Sequence, residues 1–450
     1  MNIAQSLADN LFEGFSRCGF ESRSAIIAAV SGGSDSTALL LLLKSFIDIA
    51  AIPVRLVAVT VDHGLRPEAA DEALAVGKLA ARLGVEHRTL RWSGPKPATG
   101  IAAAAREARY RLLAKAAADA GTDMVLTAHT ADDQAETVFM RRQRGEGMGL
   151  AGMAPATLFE GKIWIARPLL AVRRETLRDF LRANSIGWID DPSNVDRRSE
   201  RVRIRSELSG SHDTDIETLL EIARRNAARR EEFGGRAAAL ISRFARLVEP
   251  GLIHLDPGFL GNGDDEAGVH ALRVLLAVVG GVPHLPDERR AAALAARLAQ
   301  PPHRATLSRA LVASRRDGVW LCRERRGLPE PGPAREGMIW DGRFRISAVG
   351  SAIQALIAPA GGIAIGEIED DDGPPKSLIR VARASRPVFL HQGEQFAADA
   401  TGCWTATPIV SLWRRFLPSF DIELARAVSA LIGAPAILDP PCAGHNVGQA

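Results

Sequence analysis

The sequence predicts an α/β fold: a doubly wound, mostly parallel sheet, followed by a helical domain and a small α+β C-terminal domain. Three observations predict it. Strand-like and helix-like runs alternate from residue 20 to about 190. Polar clusters fall at the ends of three of the strand-like runs, at 31–36, 62–66 and 129–133, which is where open sheets of this kind bind ligands. Beyond Arg205 the pattern changes to helices rich in Ala and Arg.

The first element is the apolar run at 25–30, which reads as a fully buried strand. Residues 37–50 place Leu39, Leu40, Leu42, Leu43, Phe46 and Ile47 at helical spacing. A second strand is expected over 54–61. A helix follows over 67–83, with Pro67 in a favourable first-turn position and Gly84 as its stop. A third strand at 85–92 leads through a Gly- and Pro-rich loop at 93–100 into an alanine-rich helix at 101–120. The remaining units are a strand at 124–128, a helix at 132–142, a strand at 163–166 and a helix at 173–184. Later, a helix is expected over 216–233, then mixed structure to about 326. The Pro/Gly linker at 327–333 reads as a boundary, followed by β-like runs at 344–348 and 378–382. The expected domains are 1–205, the alternating α/β part; 206–326, helix-rich; and 334–450, a small terminal domain.

The segment between the first strand and helix, Ser31, Gly32, Gly33, Ser34, Asp35 and Ser36, reads as a phosphate cradle. Two glycines let backbone N–H groups approach a ligand, and the start of the helix favours an anion. Asp35 is the odd member, because a carboxylate beside phosphates repels them unless a divalent cation lies between; this makes it a Mg²⁺ ligand. The plainer reading is a polar turn with a Ser or Asp cap. The Lys-Ser/Thr ending of the common kinase and GTPase loop is absent.

At the fourth strand's end, His129, Asp132, Asp133 and Glu136 gather, with Asp133 and Glu136 three apart on one helical face. Either Asp132 or Asp133 caps a helix, or Asp133, alone or with Asp132, joins Asp35 at the metal while His129 contacts the nucleotide or its adenylate. Arg106 and Arg109 share a face, as solvated charges or with one of them, Arg109, opposing charge on the α-phosphate. The stretch 196–205 holds five arginines against two acids, making Arg197, Arg198, Arg201, Arg203 and Arg205 candidate RNA-backbone contacts. Arg141, Arg142 and Arg144 form a second basic cluster. The letters of 147–152 fit a dinucleotide fingerprint, but they follow a helix rather than a strand, so a loop that moulds to RNA or closes on the site is expected instead.

Composition adds bounds. A chain of 450 residues with 46% hydrophobic residues can bury several cores, and a net charge of +3 hints only mildly at an anionic partner. The four cysteines, Cys18, Cys322, Cys403 and Cys442, show no metal or redox spacing, consistent with a reducing cytoplasm. No export signal or membrane span is expected. The acidic run 369–372 reads as a solvated loop.

Taken as a set, Ser31 to Ser36, the clusters at 62–66, 105–110 and 129–137, Arg144 to Met153, Arg167-Pro168-Leu169-Leu170 and Trp188 to Asn194 resemble the tRNA(Ile)-lysidine synthetases, a branch of the PP-loop ATP pyrophosphatases. The resemblance implies a Rossmann-like ATPase fold, ATP and Mg²⁺ as cofactors, and L-lysine and an isoleucine tRNA with a CAU anticodon as partners. It also implies no membrane partner, with a homodimer as a candidate assembly. The implied reaction adenylates O2 of the wobble cytidine; the lysine amine then attacks carbon 2 and expels AMP. Lysidine results, and decoding changes from AUG to AUA. One departure is Thr130, where the family usually has a second His. Competing functions are a tRNA sulfur transferase, which generally needs cysteines near the site, an amidating ligase of the same superfamily, and a non-catalytic RNA-binding protein with a relict ATP fold.

Overall fold

The computed structural model describes residues 11–145, 147–190, 200–209, 213–261, 263–349, 354–361, 374–391, 394–397 and 403–442. The chain divides into two compact units, Met1–Glu231 with Phe416–Phe420 and Leu438–Ala450, and Glu232–Arg415 with Asp421–Ile437.

The first unit is the alternating structure that the sequence predicts. In chain order it runs β1 (Ala25–Ala29), α1 (Ser34–Ile49), β2 (Arg55–Asp62), α2 (Ala69–Arg82), β3 (Glu86–Arg91), α3 (Ile101–Ala120), β4 (Met124–Leu126) and α4 (Ala131–Gln143). It continues with β5 (Ala156–Phe159), β6 (Ile163–Ala166), α5 (Arg174–Ala183), α6 (Glu200–Ser209) and α7 (Asp213–Phe244), which leads into the second unit. Strands β3, β2, β1, β4 and β6 lie side by side and parallel. The order reverses between β1 and β4, so the switch-point crevice opens just past their carboxyl ends. Ser31 follows one of these strands and His129 the other.

Each face of this sheet is covered by helices. Every residue of β1 is buried, and α1 lays Leu39, Leu40, Leu42 and Leu43 against it, in a core shared with Leu177 and Leu181 of α5. Each such side chain contributes about 1.5–3 kcal/mol of burial, which fixes the start of α1 relative to the end of β1. The opposite face packs Tyr110, Leu113 and Ala117 of α3 against Ile27 and Val57.

Two antiparallel strands were not anticipated. β5 pairs with β6, and the segment Phe416–Pro418, returning from the far end of the chain, pairs with β5 and edges the sheet.

The second unit follows α7 with β7 (Ala245–Glu249), β8 (Leu252–Leu255), α8 (Asp265–Gly280), α9 (Glu288–Leu298), β9 (His303–Leu307), β10 (Ala310–Arg315) and β11 (Gly318–Arg323). The strands form an antiparallel sheet in the order β7-β8-β11-β10-β9, whose core includes Leu272, Leu275 and Leu276 of α8. Two smaller sheets follow. One joins β12 (Gly332–Pro333), β15 (Leu356–Pro359), β16 (Pro387–His391) and β17 (Glu394–Ala397); the other joins β13 (Ile339–Trp340), β14 (Phe344–Ala348) and β18 (Trp404–Pro408). The strand expected at 344–348 is present. The one expected at 378–382 is instead the helix α10 (Lys376–Ala384), because Leu378, Ile379 and Ala382 are buried together at helical spacing. The edge strand Phe416–Pro418 is β19, and α11 (Ile422–Ile432) is the last helix. Residues 369–372 lie outside the described residues. Among the described residues no helix is long and apolar enough to cross a membrane.

Candidate active site

The cradle is built from backbone. Gly33 is the N-cap of α1 and no side chain caps that helix, so its first-turn N–H groups remain available to a ligand. Gly32 has φ +91°, and a Cβ there would stand 2.7 Å from the Cδ1 of Ile189, so glycine is required for both the conformation and the space. Ile189 N–H donates to Gly32 O at 2.9 Å, which lays the 189 segment over the loop. Ser36 Oγ accepts from Ser31 N–H and donates to Gly33 O, each at 3.1 Å, tying the loop to the helix. Ser34 Oγ donates to Asp35 Oδ1 at 3.0 Å.

Beside the cradle lies a cavity of about 440 Å³, lined by Ser31, Gly33, Val59, His63, Arg66, Arg109 and Ile189 among others. Arg109 has no carboxylate partner among the described residues, and burial, with Arg106 nearby, pulls its guanidinium below the usual range. Among the described residues it is thus a cation without a counter-ion on the wall of this cavity. Arg106 instead lies over the Tyr110 ring at 5.0 Å. His63 was not singled out from sequence. Its buried Nδ1 has no partner, and burial and then Arg109 push its pKa down, so it faces the cavity neutral.

His129 is also neutral. Burial, then the charge of Arg167, holds it well below the usual histidine range. Its Nδ1 lies 3.0 Å from Thr127 Oγ1, whose own proton goes to Ala166 O at 3.3 Å. That chain assigns the proton to Nδ1 and leaves Nε2 as an acceptor.

Asp133 makes the helix cap that one reading expects. Its Oδ2 accepts from Thr130 N–H at 2.9 Å while Asp133 N–H donates to Thr130 Oγ1 at 3.4 Å, a capping box. Thr130 thus has a structural task as N-cap. The other oxygen, Oδ1, points away and accepts from Arg174 and Arg201, each at 3.1 Å. Burial alone would raise the Asp133 pKa; Arg174, Arg201 and the Thr130 N–H outweigh it and bring it down.

Arg174, at the first position of α5, was missed from the sequence and joins the two predicted acids. Its Nε donates to Asp35 Oδ2 at 2.9 Å and its Nη2 to Asp133 Oδ1 at 3.1 Å, with Glu136 at 3.6 Å. Asp132 Oδ2 accepts the Arg174 backbone N–H at 2.6 Å, so Asp132 anchors α5. A signal was present: Arg173 and Arg174 put positive charge at a helix N-terminus, against the macrodipole, where only local acids make it favourable.

The basic stretch divides. Arg197 and Arg198 lie outside the described residues. Arg201 and Arg205 turn inward, each reaching Glu136 at 2.8 Å, and Arg203 is exposed on α6. Arg144 pairs with Glu200 at 2.8 Å, and Arg141 donates to Gly149 O and Gly152 O. With Gln134 bonded to both N–H and C=O of Met153, these contacts strap the glycine-rich loop onto α4. A Cβ at Gly152 would stand 2.6 Å from Gln134 Oε1, so the glycine permits the close approach.

Among the described residues no group of three or more His, Cys, Asp or Glu converges as a metal site. The donors nevertheless fit Mg²⁺. Asp35 Oδ2 and Asp133 Oδ1 already reach one common cation, the Arg174 guanidinium, and Mg²⁺ characteristically takes one or two carboxylates plus phosphate oxygens and waters. A second cavity of about 310 Å³, on the far side of this network, is lined by Asp132, Glu136, Arg173, Arg174, Arg178 and Arg205 among others.

Comparison with known proteins gives consistent matches. A family profile for the PP-loop domain matches residues 2–211. A tRNA(Ile)-lysidine synthase of Mesorhizobium japonicum is 49% identical over 431 residues, covering 93% of this chain and 95% of its own. The enzyme of that name from Brucella anthropi is 38% identical, covering 96% of this chain and 98% of its own. The one from Rhizobium meliloti is 39% identical, with 94% of each chain covered.

Proposed function

Because this chain belongs to the tRNA(Ile)-lysidine synthase family, we propose that it uses ATP to join lysine to the wobble cytidine of an isoleucine tRNA with a CAU anticodon. The observation that carries the reading at residue level is the uncapped N-terminus of α1, with the unpaired guanidinium of Arg109 on the wall of the same cavity.

Cytosine is a poor electrophile at carbon 2 until its oxygen becomes a leaving group. In this reading, backbone N–H groups of 33–36 and the helix dipole take up charge as pyrophosphate departs, a contribution on the order of 10²–10³ per donor. Arg109 opposes the charge on the α-phosphate. Asp35 and Asp133 are the residues that would hold Mg²⁺, which would supply further charge neutralisation of the triphosphate. O2 of the cytidine leaves with AMP when the amine attacks carbon 2. His129, buried and neutral, presents its Nε2 as an acceptor that suits a hydrogen bond to the adenylate. The second cavity suits lysine: Asp132 and Glu136 draw its amine, and Arg173 and Arg178 its carboxylate.

The test is to incubate the protein with ATP, Mg²⁺, labelled lysine and CAU-anticodon isoleucine tRNA. Label enters the tRNA if the reading holds; pyrophosphate release with lysine left free contradicts the substrate assignment.

Among the described RNA candidates, Arg203 is the exposed one. Arg203→Glu is expected to weaken tRNA binding at low salt and to reduce the slope of log K against log salt by about 1. An unchanged slope assigns the backbone contacts elsewhere.

A further inference from the structure

We propose that Arg174 is an exchangeable counter-ion, holding Asp35 and Asp133 in position for the divalent cation and giving them up when the metal arrives with ATP. The proposal rests on the assignment of those two carboxylates to the metal.

Charge is the first argument. Among the described residues, the carboxylates of Asp35, Asp132, Asp133 and Glu136 make ion pairs with the guanidinia of Arg173, Arg174, Arg201 and Arg205, so positive charge already neutralises both candidate metal ligands. Of these guanidinia, Arg174 is the one that touches both Asp35 and Asp133. A divalent cation that ligates both Asp35 Oδ2 and Asp133 Oδ1, at distances near 2.1 Å, takes the place between them that the guanidinium now bridges at 2.9 and 3.1 Å, and the like charges repel. One cation must leave as the other enters.

Geometry is the second. The Arg174 backbone is fixed by its N–H bond to Asp132, while its guanidinium is held only through carboxylates among its described contacts. A fixed Cα with a long, rotatable side chain is a pivot. Glu136, 3.6 Å from Nη1, provides an alternative partner one step away, and it borders the second cavity together with Arg174. The side chain can therefore let go of Asp35 and Asp133 without leaving acidic surroundings.

Two consequences follow. Without nucleotide, the tethered cation competes with free metal as an intramolecular ligand, so the protein resists binding a divalent ion alone. With nucleotide, the phosphates supply the missing ligands and the exchange becomes favourable, so metal and ATP enter together.

Mn²⁺, followed by electron paramagnetic resonance, is the probe. The wild-type protein is expected to bind Mn²⁺ weakly alone and tightly with a nonhydrolysable ATP analogue. Arg174→Gln is expected to lower the nucleotide-free Mn²⁺ dissociation constant by roughly tenfold. Arg174→Lys, which keeps a cation on the same tether, is expected to stay as weak as wild type, and Asp35→Asn placed on Arg174→Gln is expected to remove the gained site. A merely structural Arg174 gives no gain of metal binding. Nucleotide-free affinity unchanged in Arg174→Gln, or raised equally in Arg174→Lys, overturns the exchange. Asp35→Asn alone tests the underlying metal assignment separately: if Mn²⁺ with nucleotide binds it as tightly as wild type, the assignment fails, whatever the Arg174 variants do.

Discussion

Asp35→Ala is expected to reduce pyrophosphate release from ATP by on the order of 10³, with tRNA binding largely retained. Asp35 lies in the first turn of α1, whose N-terminus no side chain caps, and its Oδ2 meets the Arg174 guanidinium that also holds Asp133. If Asp35 holds the metal, loss of the carboxylate leaves the triphosphate without that contact and Arg174 with one partner fewer. RNA affinity is expected to come from contacts outside this loop and so not to follow. Asp35→Asn separates the effects, because the amide can still accept from Ser34 while the charge is gone. Quench-flow measurement of pyrophosphate beside filter binding of tRNA checks the expectation. Turnover near the wild-type rate removes Asp35 from the metal role.

The second large effect concerns stability. Asp341→Asn is expected to destabilise the second unit by about 3–5 kcal/mol, because three guanidinia converge on this one carboxylate and its side chain is fully buried. Arg323 and Arg343 reach it at 3.1 and 2.7 Å, and Arg309 completes the set. Burial already pushes Arg343 down to about 10 even with the carboxylate present. Carbonyls of Glu324, Arg326 and Ser385 satisfy further donors but carry no compensating charge. Urea unfolding measures the loss. A midpoint within error of wild type would mean that the carbonyls alone suffice. The turn itself is tightly placed: Asp341 and Gly342 both have positive φ, and a Cβ at Gly342 would stand 2.0 Å from Gly281 O.

Most of the first unit was legible because its elements satisfy local rules. The buried run at β1, the leucine periodicity of α1 and the Gly84 stop each act within a few residues, so pattern alone locates them. β5 and β19 were not legible. They are four and three residues long, β19 ends in a proline, and their pairing joins segments far apart in sequence, which no local window contains. Leu378-Ile379-Arg380-Val381 alternates too little to separate strand from helix; burial on one side of a sheet decided for helix.

The site divides in the same way. Ser31 to Ser36 announce themselves because a backbone cradle needs glycines and small hydroxyls in a fixed order. Asp133 was ambiguous in principle, since capping and metal binding both call for a carboxylate; the structure uses one oxygen for the cap and turns the other to the Arg174 and Arg201 guanidinia. Arg201 and Arg205 looked like RNA contacts by charge density alone. Only the position of α6 against α4, packed through Ile204, Leu208, Ala135 and Val138, turns them toward Glu136.

The central claim is that the amides at the β1–α1 junction hold the triphosphate with its α-phosphorus open to a nucleobase oxygen. The most direct measurement is a crystal structure with Mg²⁺ and a nonhydrolysable ATP analogue. The account predicts phosphates against the N–H groups of 33–36, with Arg109 beside the α-phosphate. A nucleotide settled away from that junction contradicts it.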